Sequence, residues 1–517
     1  MALGKVLRLR PTGSGPGARF KLGNAYFEQQ KYAEALNEFQ GVLRQNPNMV
    51  PAHLRIGDVY LAEQRLDEAL KAYSHALRLN PNLPASHLKL GNLYAAQHKP
   101  AEAIAAYQHA LKLEPRMAAA HFKLGSVYLE QQKYTEALTA FDSALELNPQ
   151  LLFAYLKMGD VYVEQQEYAA ALDKYRAALR FDPKLALAYV KIGDIYAQQE
   201  EPGLALAEYT KALNIDPNLS LAYVRIGDRY NENGQSEGAL AEYKKALSCN
   251  PKPGIAFLAN LKLGNTLLKL KRVSEAIVAL NAAITYKRDV AAVYMKLGNA
   301  YLEQQNFVEA YEAYRVAVDL RPDSAQLHLK LGTAALKLGD GSGALRSFLE
   351  ALRLDTELAS AHVKVGEVYL QEKRYDEAIN AFQSALNVNP KLAQAHVGIA
   401  DTAFERQQYD ESMEAYRAVV RYSPRNVHAH LHLGDLFLRR KQLPEAHAEY
   451  HAVVLLDPDS ALGHLGLGKV YREEGKHEEA IAEFRTALEL DPQLSEARDA
   501  FAYQDRLSTV ASGDTVS

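Results

Sequence analysis

Apolar residues recur along the chain at helical spacing, in blocks separated by short polar turns. In residues 21–48 they fall into two sets, each with members three or four residues apart, which predicts two amphipathic helices. Pro47 ends the block, because proline cannot continue a helix and restricts the residue before it. The block is therefore predicted to form an antiparallel helix pair.

This block is repeated, so that the chain contains fourteen copies of it. Gly23 of the first copy recurs twelve times at steps of 34 residues, with one step of 37 between Gly227 and Gly264. Ala400 takes the place of the glycine in copy twelve. A fixed period of this size predicts a stacked array in which each unit touches its neighbours. We number the positions within a copy so that this glycine is position eight.

Three positions are predicted to build each helix pair. Gly23 and Ala35 are expected to face each other and to allow close approach, with the ring of Phe39 filling the space beside them. An aromatic residue stands at the Phe39 position in thirteen of fourteen copies, and Leu280 is the exception.

The repeated residue pattern resembles that of the tetratricopeptide repeat family. In copy two it reads His53, Ile56, Gly57, Tyr60, Ala69, Tyr73, Ala76 and Pro81. The resemblance extends over residues 16–494. It implies an all-α fold, a right-handed superhelical α-solenoid of antiparallel helix pairs, in which the first helix of each pair lines the concave side.

The chain is predicted to have five parts. These are a disordered basic leader at 1–15, copies one to seven at 16–253, copies eight to fourteen at 254–494, a capping helix at 495–507, and a disordered tail at 508–517. A short organelle-targeting segment is the alternative for the leader. The three extra residues lie in an irregular junction near 249–257, for which a hinge and a neutral insertion in a surface turn both stay open.

Composition narrows the classes of function. The net charge of −4 over 517 residues argues against a protein that coats nucleic acid. Cys249 is the only cysteine, which excludes an intrachain disulfide framework and fits a cytoplasmic location. No apolar run reaches the length of a membrane span.

A second periodic pattern lies on the open face of the first helices. Position six is basic in eleven successive copies and ceases to be so after Lys364, position nine is mostly acid or amide, and position twelve is mostly apolar. The candidate partner-binding residues on this face are Lys89, Lys123, Lys157, Lys191, Arg225, Lys262, Lys296, Lys330, Asp160, Asp194, Asp228, Asn265 and Asn299.

Two interpretations of this pattern stay open. Lysine at position six and aspartate at position nine can pair within one helix, at about 0.2–0.5 kcal/mol per pair, and would then form a solvated stripe. Alternatively the pattern is a docking track, chiefly in copies two to eleven, for extended or helical partner segments. Because lysines only donate hydrogen bonds, such segments are expected to be acidic and apolar.

The resemblance can be tested against two subfamilies. Chaperone-binding members clamp a carboxylate with a lysine at position five, whereas Phe20, Leu54 and Leu88 stand at this position here, so a co-chaperone role is not expected. The superhelix of the O-linked N-acetylglucosamine transferases is similar in regularity but has asparagines at position six. Only 25 residues follow Pro492, so no catalytic domain is expected there.

Sixteen histidines raise the question of a metal site. Eight of them occupy position four, where tyrosine replaces them in other copies, which predicts a packing position for a ring with a polar tip. His428 with His432, and His447 with His451, are spaced for metal binding, but each pair lacks a third ligand. No metal, cofactor or catalytic residue is predicted.

The predicted function is that of a non-catalytic scaffold or adaptor that binds protein segments in its concave groove. The alternatives are a targeting or regulatory subunit of a separately encoded transferase or secretion machinery, and a self-assembling structural protein.

Overall fold

The computed structural model describes residues 15–511, and the side chains up to Tyr503. Within these residues the chain forms 29 helices and no strands, which confirms the all-α fold class. It divides into two compact units, one up to Ala259 and one from Asn260. Odd-numbered helices are the first helices of their copies, and even-numbered helices are the second.

The first unit contains copies one to seven, each an antiparallel pair packed on the next. Its helices are α1 (Pro16–Glu28), α2 (Tyr32–Gln45), α3 (Val50–Ala62), α4 (Leu66–Leu79), α5 (Pro84–Ala96), α6 (Pro100–Leu113), α7 (Ala118–Glu130), α8 (Tyr134–Leu147), α9 (Leu152–Glu164), α10 (Tyr168–Phe181), α11 (Ala186–Gln198), α12 (Pro202–Ile215), α13 (Ser220–Glu232) and α14 (Ser236–Ser248).

Helix α15 (Pro253–Lys269) crosses the division, and the second unit continues with copies eight to fourteen. Its helices are α16 (Val273–Tyr286), α17 (Ala291–Glu303), α18 (Phe307–Leu320), α19 (Ala325–Lys337), α20 (Gly341–Leu354), α21 (Ala359–Gln371), α22 (Tyr375–Val388), α23 (Ala393–Glu405), α24 (Tyr409–Tyr422), α25 (Val427–Arg439), α26 (Leu443–Leu456), α27 (Ala461–Glu473), α28 (His477–Leu490) and α29 (Ser495–Ala511). No described helix is both long enough and apolar enough to cross a lipid bilayer.

One left-handed residue turns the chain between the two helices of each copy. In copy two this residue is Gln64, with a φ of 62°, and the next amide, of Arg65, donates to the Tyr60 carbonyl at 2.8 Å. That bond satisfies a carbonyl at the end of the first helix. In copy seven Gly234 takes this position, with a φ of 76°. The turn thus sends the second helix back along the first.

The core of each pair is built as the sequence predicts. Ala35 and Phe39 are fully buried, and a methyl group added to Gly23 would lie 2.6 Å from the Phe39 ring. A side chain at position eight would therefore overlap the ring, which explains the glycine. In copy twelve, where Ala400 and Ser412 replace the usual pair, the buried Ser412 hydroxyl donates to the Ala400 carbonyl at 2.9 Å.

Position four holds a ring whose polar tip binds the end of the preceding copy. His53 Nε2 lies 2.8 Å from the Pro47 carbonyl oxygen, and the Tyr223 hydroxyl donates to the Pro217 carbonyl at 3.2 Å. Both side chains reach the carbonyl six residues earlier, which explains why they replace each other. The contacts agree with the predicted packing role of these histidines.

The three extra residues at mid-chain lengthen a helix. Helix α15 has 17 residues, four more than the first helices of the other complete copies, while α14 has 13, one fewer than the other second helices, which accounts for the three extra residues. Helix α15 begins at Pro253, inside the predicted junction near 249–257.

The helix after the last complete copy packs on that copy through small residues. Ala497 and Ala500 are buried against the cluster that contains Phe484, and Arg498 Nη2 donates to the Pro492 carbonyl at 2.6 Å. Arg498 thus makes the position-four contact and stays exposed. The helix extends to Ala511 and so includes residues 508–511 of the predicted tail. Two predicted segments lie outside the described residues: most of the leader, at 1–14, and the rest of the tail, at 512–517.

Candidate partner-binding groove

The carboxylate of Asp160 on α9 joins three helices of the first unit. Its Oδ1 accepts a hydrogen bond from the Tyr175 hydroxyl on α10 at 2.8 Å and one from Lys191 Nζ on α11 at 2.7 Å. Lys157, one turn earlier on α9, is more distant, at 3.5 Å. The lysine of the following copy is therefore the closer partner, whereas the sequence pattern pointed to the lysine of the same helix.

The same contact between copies recurs along the first unit. Lys89 Nζ lies 2.9 Å from Asp58 Oδ1, and Arg225 Nε lies 2.8 Å from Asp194 Oδ1. In the second unit Lys330 Nζ donates to the neutral Asn299 Oδ1 at 2.9 Å. Positions six and nine therefore link consecutive first helices, in addition to facing the groove.

Position nine has a third partner, the buried tyrosine of the second helix. In eight copies of the described chain the tyrosine hydroxyl donates a hydrogen bond to the side chain at position nine. The pairs are Tyr73–Asp58, Tyr107–Asn92, Tyr175–Asp160, Tyr209–Asp194, Tyr243–Asp228, Tyr314–Asn299, Tyr416–Asp401 and Tyr450–Asp435. Burial, followed by the charge of Asp160, raises the pKa of Tyr175 far above its ordinary value, so the hydroxyl stays protonated and donates.

The tyrosine partners were missed at the level of sequence, although a signal exists. Every copy with tyrosine at the Phe39 position has aspartate or asparagine fifteen residues earlier. The six copies with phenylalanine or leucine have Asn24, Ser126, Asn265, Thr333, Glu367 and Lys469 there. Without the hydroxyl, the buried Oδ1 atoms of Asn24 and Asn265 have no hydrogen-bond partner among the described residues.

The candidate residues thus differ in the contacts that they already make. Lys89, Lys191, Arg225 and Lys330 bind the preceding copy, and Asp160, Asp194, Asp228 and Asn299 accept from tyrosines. Lys123 and Lys296, by contrast, make no ion pair within the described chain and project beside the neutral Ser126 and Asn299 of their own helices. Lys262 lies half-buried on α15.

The end of the lysine run after copy eleven has a packing explanation. Position six lies on the aromatic ring of the preceding copy, and a methyl group added to Gly398 would overlap the Phe382 ring. Gly466 meets the Tyr450 ring in the same way. In copy thirteen His432 stacks on the Tyr416 ring, with centroids 5.3 Å apart. In copies twelve and fourteen the ring therefore leaves no room for a Cβ atom at position six.

The groove of the first unit opens into a cleft of about 520 Å³. Its apolar lining comes from Leu129, Val163 and Ile195, and its polar lining includes the ion-paired Asp160 and Lys191. Leu129 and Val163 occupy position twelve of successive copies and are half-buried. The cleft thus combines an apolar wall with charged groups held in place by neighbouring helices.

A second cleft, of about 430 Å³, lies in the second unit beside His428 and His432. His428 Nε2 lies 2.9 Å from Asp401 Oδ1, and this hydrogen bond raises the pKa of His428. Burial lowers the pKa of His432. The two rings are in contact, with centroids 4.4 Å apart. Within the described residues no group of three histidine, cysteine or acidic side chains is arranged to hold a metal ion.

Family models match most of the chain. Three tetratricopeptide repeat models match residues 20–84, 88–151 and 442–495, residues 159–200, and residues 186–219 and 221–253. A model of the Cilia and flagella-associated protein 70 C-terminal domain, also built of these repeats, matches residues 254–460. No curated protein sequence matches the chain.

Solved structures of similar architecture include three that span very different shares of the chain. The APC/C hetero-tetramer Cut9-Hcn1 aligns at 15% identity and a TM-score of 0.41, covering 88% of this chain and 96% of that one. Naa15/Naa10 bound to HypK-THB aligns at 13% identity and 0.38, covering 97% of both. MamA aligns at 30% identity and 0.29, covering 31% of this chain and 95% of that one.

The repeated glycine–ring contact, the terminal proline and the matches of the repeat models lead to one conclusion: this chain belongs to the tetratricopeptide repeat family.

Proposed function

We propose that the protein is a non-catalytic scaffold or adaptor that binds segments of other proteins in the groove of its first helices and so assembles a multiprotein complex. The cleft lined by Leu129, Val163 and Ile195 carries this proposal, because it offers the half-buried side chains of Leu129 and Val163 beside fixed charges. Clefts of this composition suit the anchoring side chains of a peptide.

The ion pairs determine which groove atoms are available to a partner. Asp160 and Lys191 already bind each other, so breaking their contact would cost much of what a new contact supplies. The apolar wall would then provide most of the affinity, while the charged groups orient the partner's backbone and exclude mismatched charges. Cytoplasmic location is part of this proposal and rests on the single cysteine.

Site-specific photo-crosslinking tests the groove. A photo-reactive phenylalanine analogue at Val163 or at Leu129 should crosslink to a discrete partner in cells that express the protein natively. The control places the same analogue at Thr139, an exposed residue of the second helix α8. Crosslinks of equal yield at Thr139, or none at both groove residues, would contradict the proposal.

The targeting subunit of a separately encoded transferase or secretion machinery is the alternative, and a self-assembling structural protein is a third role. Co-purification of a catalytic activity with the tagged chain would favour the targeting role. Light scattering over a concentration series tests self-assembly, which a strict monomer at high concentration would exclude.

The match of residues 254–460 to the Cilia and flagella-associated protein 70 domain favours one specific setting, a complex of cilia or flagella. Fluorescence microscopy of the tagged protein in ciliated cells tests this setting, and a signal absent from the cilium would contradict it.

A further inference from the structure

Charge is unevenly distributed over the first helices of the second unit. Helices α17 and α19 carry Lys296, Lys330 and Lys337, and Glu303 is their only acid. At position nine, where most copies have a carboxylate, these helices have Asn299 and Thr333. Lys262 and Lys269 extend the same two lysine positions, six and thirteen, onto the part of α15 that belongs to this unit.

The contacts of Lys296, Lys330 and Lys337 leave the charge of these three side chains uncompensated. Lys330 donates to Asn299 at 2.9 Å, and an amide satisfies the hydrogen bond without supplying negative charge. Lys296 and Lys337 form no ion pair with any described residue, and Lys337 is exposed. In the first unit the corresponding Lys191 is neutralised by Asp160.

The charge pattern changes sign farther along the unit. On α21 Lys364 pairs with Glu367 at 2.6 Å, and α23 carries Asp401 and Glu405 without a lysine or arginine. The basic surface is therefore confined to a few successive first helices. Position twelve adds Leu302 and Leu336, both half-buried, so apolar side chains alternate with the lysines.

We propose that this basic face, defined by Lys296, Lys330 and Lys337 with Leu302 and Leu336, binds an acidic segment of a partner protein in which glutamates or aspartates alternate with apolar residues. The proposal rests on the proposed scaffold function, and it places the site that recognises acidic segments in the second unit. Charge complementarity selects this occupant, because uncompensated lysines attract carboxylates and the leucines bind apolar side chains that a nucleic acid backbone lacks.

Fluorescence anisotropy with the full chain tests the proposal. The probe is a labelled peptide of alternating glutamate and leucine, compared with the same peptide carrying glutamine for glutamate and with a single-stranded oligonucleotide of equal charge. The glutamate peptide should bind best, and raising the salt concentration should weaken it. Equal binding of the glutamine peptide, or tighter binding of the oligonucleotide, would overturn the proposal.

A matched pair of variants locates the site. The triple variant Lys296→Glu, Lys330→Glu and Lys337→Glu should bind the glutamate peptide about tenfold or more weakly, because attraction becomes repulsion. The control variant Lys287→Glu, Arg346→Glu and Lys391→Glu changes the net charge equally at exposed positions of the same unit outside the face and should bind as the wild type does. Equal loss in both variants would overturn the proposal.

Circular dichroism of both variants checks that they fold. If the triple charge reversal unfolds the second unit, the neutral variant Lys296→Gln and Lys337→Gln replaces it and should still bind several-fold more weakly. Unchanged binding by this folded variant would overturn the proposal. Photo-crosslinking at Val163 is independent of these lysines. If the groove crosslinks persist while the glutamate peptide does not bind the basic face, only the basic-face proposal is overturned and the scaffold function is retained.

Discussion

The hydroxyl of Tyr175 donates a 2.8 Å hydrogen bond to Asp160, and this bond connects the core of a helix pair with the surface of the groove. The tyrosine ring is buried beside Gly159, whereas the carboxylate is partly exposed in the cleft. One residue therefore fills the core and holds a groove carboxylate in position. Substitutions in the core should consequently alter the groove.

Replacing Tyr175 with phenylalanine should destabilise copies five and six by about 1–2 kcal/mol, because Asp160 loses a buried donor but keeps Lys191. Hydrogen exchange of the amides in α9 to α11 measures the loss. Tyr286→Phe serves as the control, since that ring is half exposed, and it should leave exchange unchanged. Equal protection in wild type and Tyr175→Phe would contradict this role of the hydroxyl.

Adding the hydroxyl where it is missing should stabilise the chain. Phe39→Tyr would place a donor beside the buried Asn24 Oδ1, which has no partner in the described chain, and should add about 0.5–1.5 kcal/mol to the free energy of unfolding of copy one. Urea denaturation followed by circular dichroism, with exchange to locate the effect, measures the gain. Phe484→Tyr faces Lys469, which cannot accept, and should stabilise nothing.

The His428–Asp401 pair should make the second unit more stable in mild acid. The pKa of His428 is raised in the folded chain, so its stabilising contribution is present below the unfolded value of about 6.5 and is lost as the pH rises through the folded pKa. Because the imidazole is about half exposed, screening limits the effect to less than about 1 kcal/mol.

Thermal unfolding of wild type and His428→Gln at pH 5.5 and pH 8 tests this contribution. The lowered pKa of His432 acts in the opposite direction, and its first cause is burial, which the variant keeps, so the difference between the two proteins chiefly reports His428. The stability difference should be larger at pH 5.5. A difference that is independent of pH would contradict the assignment.

Position four should accept tyrosine in place of histidine but not an aliphatic residue. His121 Nε2 lies 3.0 Å from the Pro115 carbonyl oxygen, and Tyr189 and Tyr223 make the same contact in their copies. His121→Tyr should therefore be nearly neutral, while His121→Leu should cost about 0.5–1.5 kcal/mol in unfolding free energy. Urea denaturation compares the two, and equal stability of both variants would argue against the carbonyl contact.

Most of the fold was predictable because the residues that build a copy act within about 34 positions of one another. Gly23, Ala35 and Phe39 belong to one helix pair, so their spacing was enough to predict their contact. The contacts of the candidate site were harder to predict from the sequence. The pairing of Lys191 with Asp160, 31 residues earlier, depends on how consecutive first helices approach, which helical periodicity within one copy does not specify.

The sequence by itself determined the repeat, its helix pairs, the packing role of position four and the composition of the open face. Tertiary structure alone decided which of those open-face charges are already bound. A side chain's partner depends on distances between helices, and less than one ångström separates the 2.7 Å contact of Lys191 with Asp160 from the longer 3.5 Å contact of Lys157 with the same carboxylate. For the same reason the unbroken lysine run of the sequence becomes, in the fold, a set of neutralised links and a basic face on α17 and α19.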